Sequence, residues 1–153
     1  MAKKRIEPKE LYDTLVFYHV PFPHEKIESF IYFVSDGEYV KIGKGYPIAR
    51  MKGLQTGNPR ELSLLFTIPV GEITTEERRN YNSPLFHRHD GVSYAEDMIH
   101  SFFRDSHLRG EWFDILDQID TEEFRRFFGI LCNNCTEDII EYQQIKKRRG
   151  TEK

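Results

Sequence analysis

The sequence predicts a single domain of mixed α/β class, on three observations. Its 153 residues suit one hydrophobic core and leave little room for a second. Residues 30–43 carry the pattern of a β-hairpin, with branched and aromatic residues on either side of a turn signal. The segments that follow place apolar residues at helical spacing.

The elements follow in order. Residues 1–28 mix charge with Pro8, Pro21 and Pro23 and hold no sustained period, so they read as an N-terminal arm, extended at Pro21-Phe22-Pro23. Phe30-Ile31-Tyr32-Phe33-Val34 is apolar on both faces, which predicts a central strand covered on two sides. Asp36-Gly37 punctuates it before a second strand from Tyr39 to Gly43. Pro47 suits a first helical position, Ile48, Met51 and Leu54 supply a stripe, and Gly57 suits the exit. A third strand is expected at about Glu61 to Ile68.

From about residue 71 to 93 the chain turns polar, with Arg78, Arg79 and His87-Arg88-His89, and reads as an insertion or mobile loop. Ser93 then has the position of an N-cap for a helix with Ala95, Ile99, Phe102 and Phe103. Trp112-Phe113 reads as a short core anchor with Arg109 and Glu111 as its structural partners. Asp120 can cap a helix bearing Phe124, Phe127, Phe128 and Leu131. Residues 119–153 form a C-terminal helical extension, with Thr136 as the cap of a last helix and Lys146-Lys147-Arg148-Arg149 complementing its dipole.

Composition narrows the function. Hydrophobic residues make up 39% of the chain and aromatics 14%, enough for a core and too much for disorder. The longest apolar run, Phe30 to Val34, is far short of the roughly 20 residues that span a bilayer, so no membrane partner is expected. The charged start at Met1 to Glu10 is unlike a secretory leader, which predicts a cytoplasmic protein. Two cysteines, Cys132 and Cys135, are too few for a disulfide framework. Net charge is −3, unevenly spread: between Gly37 and Arg60 five basic residues face one acidic one, whereas between Glu111 and Phe128 six acidic residues face two basic ones. A local basic surface is what phosphate binding requires, whatever the total.

Several residues could carry chemistry. On a hairpin Tyr32 and Lys41 can meet, and an ammonium beside a phenol lowers its pKa and improves it as a proton acceptor. Gly43-Lys44-Gly45 lets backbone approach a ligand ahead of the helix that carries Arg50. Ser93-Tyr94-Ala95-Glu96 has capping-box spacing, which competes with any other use of Glu96. His100 and His107 with Cys132 and Cys135 lack the clean spacing of a zinc site.

Taken together, Phe30-Ile31-Tyr32, Lys41-Ile42-Gly43 and Arg50 resemble the GIY-YIG nuclease superfamily, each signature being degenerate at its first position. Leu54-Gln55-Thr56-Gly57-Asn58-Pro59, the Glu96 to His100 segment and Arg109-Gly110-Glu111-Trp112-Phe113 are similar to its compact phage and bacterial branch. The resemblance runs from Phe30 to Phe113 and five ordered blocks carry it.

It implies a nuclease domain over residues 29–118, with a three-stranded antiparallel sheet flanked by helices. It also implies a phosphodiester hydrolase that acts on DNA with Mg²⁺ or Mn²⁺, in a bacterial or phage-infected cell. By the same resemblance Tyr32 is the signature tyrosine, Arg50 steadies the scissile phosphate, Glu96 holds the metal, and His100 supports the phosphate or a water. Lys41 stands where many members have a second tyrosine, which leaves the base open between Tyr32 and Lys41. Lys44, Lys52, Gln55, Asn58 and Arg60 are the candidate DNA contacts, and a homodimer would suit double-strand cleavage. A catalytically decayed binding module of the same fold is the alternative.

Overall fold

The computed structural model describes residues 6–20, 27–71 and 91–133. Helix α1 (Pro8–Phe17) leads into strand β1 (Ile27–Ser35), strand β2 (Val40–Lys44) and helix α2 (Pro47–Thr56). Strand β3 (Ser63–Gly71) and helix α3 (Gly91–Phe102) come next. A 3₁₀ turn at Arg104–Ser106 precedes the short strands β4 (His107–Arg109) and β5 (Trp112–Phe113). Helices α4 (Leu116–Ile119) and α5 (Glu122–Asn133) complete the described chain.

Among the described residues the sheet has five strands in the order β3-β1-β2-β5-β4, and every neighbouring pair is antiparallel. The expected sheet of three strands is therefore too small. Trp112-Phe113 does more than anchor the core, because Val40 pairs with Phe113 and Lys41 with Trp112. A two-residue strand has no period to read, so only its partner reveals it.

Alternation along β1 sends its side chains to two different layers. Ile31 and Phe33 join Val40, Ile42, Phe66 and Ile68 against α1, α3 and α5, which contribute Leu11, Leu15, Ile99, Phe124 and Phe128. Phe33 stacks on Phe66 with ring centroids 4.3 Å apart. Tyr32 and Val34 face the opposite side, where Met51 and Leu54 of α2 pack with Leu62 and Trp112. The apolar character of β1 on both faces reflects these two layers.

Three helices differ from expectation. The N-terminal arm contains α1, whose Pro8, Leu11 and Leu15 are buried; their spacing of three and four residues is masked by intervening charge. The helix ends on His19 in the left-handed region at φ 61°, with the Val20 N–H donating to Leu15 O at 2.9 Å, a closure that sequence rules assign to glycine. Ser93 lies within helix α3 (Gly91–Phe102) and not ahead of it, so the capping box with Glu96 does not form. Helix α5 starts at Glu122, with Thr121 Oγ1 accepting from the Phe124 N–H at 3.2 Å, so the cap is Thr121 and not Asp120.

The third strand begins and ends later than expected, at Ser63 and Gly71. Pro21 to Pro23, most of the expected insertion, Cys135, the last helix and its basic end lie outside the described residues. So do the side chains of Ile48 and Cys132. No helix among the described residues is long and apolar enough to cross a membrane.

Candidate active site

A cleft of about 360 Å³ opens between the sheet and α2, lined by Tyr32, Lys41, Lys44, Arg50 and Glu111 together with Gly53 and Leu54. Its residues come from three places. Tyr32 lies on β1 opposite Gly43, and Lys41 lies one step along the same face of β2, opposite Val34. The two are diagonal neighbours, as the hairpin pattern predicts. Arg50 comes from the first turn of α2, and Glu111 from the turn between β4 and β5.

Both glycines beside Lys44 have steric reasons. A Cβ on Gly43 would overlap the ring and hydroxyl of Tyr32, so the absence of a side chain there makes room for the phenol. Gly45 adopts φ +128°, and a Cβ on it would lie 2.9 Å from Arg50 Nε. Its N–H donates to Phe30 O at 2.9 Å and closes that end of the hairpin. Tyr46 donates its hydroxyl proton to Glu28 O at 3.0 Å and pins the entry to α2. The Arg50 side chain, whose direction helical period leaves open, lies over Gly45 and lines the cleft.

Electrostatics correct one expectation. Lys41 Nζ sits 3.3 Å from Glu111 Oε2, so its charge is engaged by a carboxylate. The Tyr32 phenol is not made more acidic. Burial pushes its pKa up, the Glu111 carboxylate adds to that, Arg50 opposes it, and Glu96 adds a smaller push. Tyr32 therefore keeps its proton at neutral pH.

Glu96 lies in α3 on the core side, 9% exposed, and it does not line the cleft. Burial pushes its carboxyl pKa up, with Glu111 adding and with His100 and Lys44 opposing. Its Oε2 is buried without a hydrogen-bond partner among the described residues. Lys44, which lines the cleft, donates to Ser93 Oγ of α3 at 2.7 Å and ties the two regions together.

His100 stands one turn beyond Glu96 and bonds through Nε2 to Ile42 O at 2.9 Å. A carbonyl only accepts, so that nitrogen carries the proton. The bond clamps α3 to β2, and His100 does not line the cleft. His107 bonds through Nε2 to Gly110 O at 2.7 Å. Among the described residues no three His, Cys, Asp or Glu side chains come together as a metal cluster.

Of the candidate DNA contacts, Lys44 lines the cleft and Lys52 is exposed on α2. Gln55 Nε2 donates to Arg60 O at 2.8 Å, while its Oε1 accepts from the Leu62 N–H at 2.8 Å. Asn58 Oδ1 accepts from the Arg60 N–H at 2.9 Å. Arg60 forms ion pairs with Glu38 at 2.9 Å and Asp36 at 3.5 Å. These three residues build the turn between α2 and β3 and fasten it to the β1–β2 turn.

Glu111 is the cleft residue that sequence reasoning placed elsewhere, as a partner of Trp112. Strand alternation gives it the side of Phe113, which is the core side. Glu111 lies in the turn ahead of β5, next to Gly110 at φ +58°, and its carboxylate reaches Lys41 in the cleft. The readable signal was a lone acid following a turn glycine beside a strand.

Comparison with protein-family models, with curated proteins and with solved structures finds no match to this chain.

Proposed function

We propose that this chain is a metal-dependent DNA endonuclease that hydrolyses phosphodiester bonds at the cleft between the sheet and α2, with a site of the GIY-YIG type. The observation that carries the reading is that Tyr32, Lys41, Lys44 and Arg50 share one cleft although they come from three separate elements. Three cations and a phenol suit an anionic phosphate with a developing charge.

Glu96 fits a hard cation, because its buried carboxylate has an oxygen without a hydrogen-bond partner among the described residues and a pKa raised by burial and by the Glu111 carboxylate. Glu96 would hold Mg²⁺ or Mn²⁺, which when bound polarises a phosphoryl oxygen and stabilises charge on the leaving one. Arg50 offers a planar fork of donors to the phosphate oxygens. Lys44 adds a point charge at the mouth. Tyr32, which retains its proton, donates a hydrogen bond to the phosphate or orients the attacking water. His100 supports these groups through β2 rather than by contact with substrate.

One such site cuts one strand, so double-strand cleavage requires a homodimer or two encounters. A cytoplasmic setting in a bacterial or phage-infected cell belongs to the same proposal. The test is cleavage of supercoiled, linear, branched and single-stranded DNA with Mg²⁺, Mn²⁺ or a chelator. Metal-dependent nicking that Arg50→Ala and Glu96→Gln abolish is the expected result. Salt-sensitive binding without cleavage in either metal points instead to a nucleic-acid-binding module.

A further inference from the structure

Water that attacks a phosphodiester must lose a proton as its oxygen bonds to phosphorus, so the cleft needs an acceptor. Its polar side chains divide cleanly by that requirement. Arg50 is a permanent cation. Lys44 acts as a donor to Ser93 Oγ at 2.7 Å, and Lys41 is an ammonium ion-paired at 3.3 Å. Tyr32 holds its own proton, for the reasons of burial and nearby carboxylates given above. Among the described residues that line the cleft, Glu111 is the one carboxylate.

The position of Glu111 suits an acceptor. Its backbone is fixed, because Glu111 O accepts from the Ile42 N–H at 2.9 Å beside the Lys41–Trp112 pairing of β2 and β5. Its side chain is 39% exposed, open to solvent, whereas that of Lys41 is 19% exposed. An ionised carboxylate has about four acceptor sites, so the bond to Lys41 leaves others for water.

We propose that Glu111 is a catalytic residue of this cleft, the carboxylate that accepts the proton of the attacking water, with Lys41 as the positioning residue that holds it. The assignment rests on the nuclease reading and identifies its base. In the step, a water O–H bond breaks and the proton passes to a Glu111 oxygen while the water oxygen bonds to phosphorus. The bond from phosphorus to the leaving sugar oxygen breaks, and that oxygen keeps the electron pair and takes a proton from solvent. Glu111 returns its proton to solvent, and nothing is oxidised or reduced.

The test compares the full-length parent with Glu111→Gln, Glu111→Asp and Glu111→Ala, the last with and without added formate. Single-turnover plasmid cleavage with Mg²⁺, duplex affinity in chelator and thermal unfolding are each measured. In Glu111→Gln the cleavage rate falls by about 10²–10⁴. DNA affinity holds or rises, since an anion has left a cleft of cations. Glu111→Asp retains part of the rate, and formate restores part of it to Glu111→Ala without accelerating the parent.

Cleavage by Glu111→Gln within about threefold of the parent overturns the assignment while leaving the nuclease reading intact. Loss of cleavage together with DNA affinity and the thermal transition, without formate rescue, also overturns it and makes Glu111 structural. A parent that cleaves none of the substrates with Mg²⁺ or Mn²⁺ overturns the nuclease reading and the assignment with it.

Discussion

The phenol of Tyr32 occupies the space that a side chain on Gly43 would need. The two residues face each other across β1 and β2, so the glycine acts as the seat of the tyrosine. Gly43→Ala should displace the phenol from the cleft and destabilise the fold by about 1–3 kcal/mol through overpacking. Cleavage should fall much further than that loss of stability explains. A variant with parental cleavage and parental denaturant midpoint would show that Tyr32 needs no such seat.

Arg50 reaches the cleft from the first turn of α2. Removal of one donor to a developing charge typically costs about 10²–10³ in kcat. Arg50→Ala should lose turnover on that scale and change duplex affinity far less. Equal losses in rate and affinity, read from single-turnover cleavage and binding titration, would make Arg50 a uniform phosphate anchor instead.

Glu96 gives a prediction for pH and metal together. Its carboxyl pKa is raised in the folded state, mainly by burial and then by Glu111. The folded state thus binds the proton more tightly than the unfolded chain does. That preference favours folding fully below the ordinary carboxylate pKa and is lost as pH rises through the raised folded value. Glu96→Gln removes the penalty, so its melting temperature should gain on the parent between mildly acidic and neutral pH. Mg²⁺ at 100 times its Kd should add about 2.7 kcal/mol to the parent, and the variant should not respond. Parallel melting curves across pH and metal would sink both halves of the prediction.

Gln55 is a clasp for the turn after α2, through both ends of its amide. Gln55→Ala leaves the Leu62 N–H without its acceptor and should cost about 1–3 kcal/mol. Urea denaturation measures it, and a change below about 0.5 kcal/mol, ordinary for a surface substitution, would contradict the clasp.

Phe33 is fully buried and stacks on Phe66 between the sheet and the helical layer. Phe33→Ala should destabilise the domain by about 3–5 kcal/mol. A cost near 1 kcal/mol would mean that the surrounding helices collapse into the space.

The hairpin was legible because β1 is apolar on both faces and Asp36-Gly37 marks its turn. Asp36 Oδ1 accepts from the Glu38 and Tyr39 N–H groups there, at 2.9 and 2.8 Å, a local contact that sequence neighbours determine. Helix α2 was legible through Pro47 and Gly57 at its ends. The place of Ser93 inside α3 was not, because it carries a strong local capping signal while its hydroxyl in fact meets Lys44, 49 residues away in sequence. Gln55, Asn58 and Arg60 looked like exposed polar groups for a partner. Their acceptors and donors belong to their own turn and to the acidic β1–β2 turn, which composition alone does not pair.

By itself, then, the chain determined what alternation, helical period and turn chemistry control: the strand that carries Tyr32, the face it shares with Lys41, and the helix that carries Arg50. Tertiary structure alone decided that Glu111 meets Lys41, that Glu96 is buried and does not line the cleft, and that Trp112-Phe113 extends the sheet. The physical reason is range. Backbone periodicity orients a side chain relative to its near neighbours, whereas burial, ion pairing and the resulting pKa shifts depend on what long-range packing brings against it.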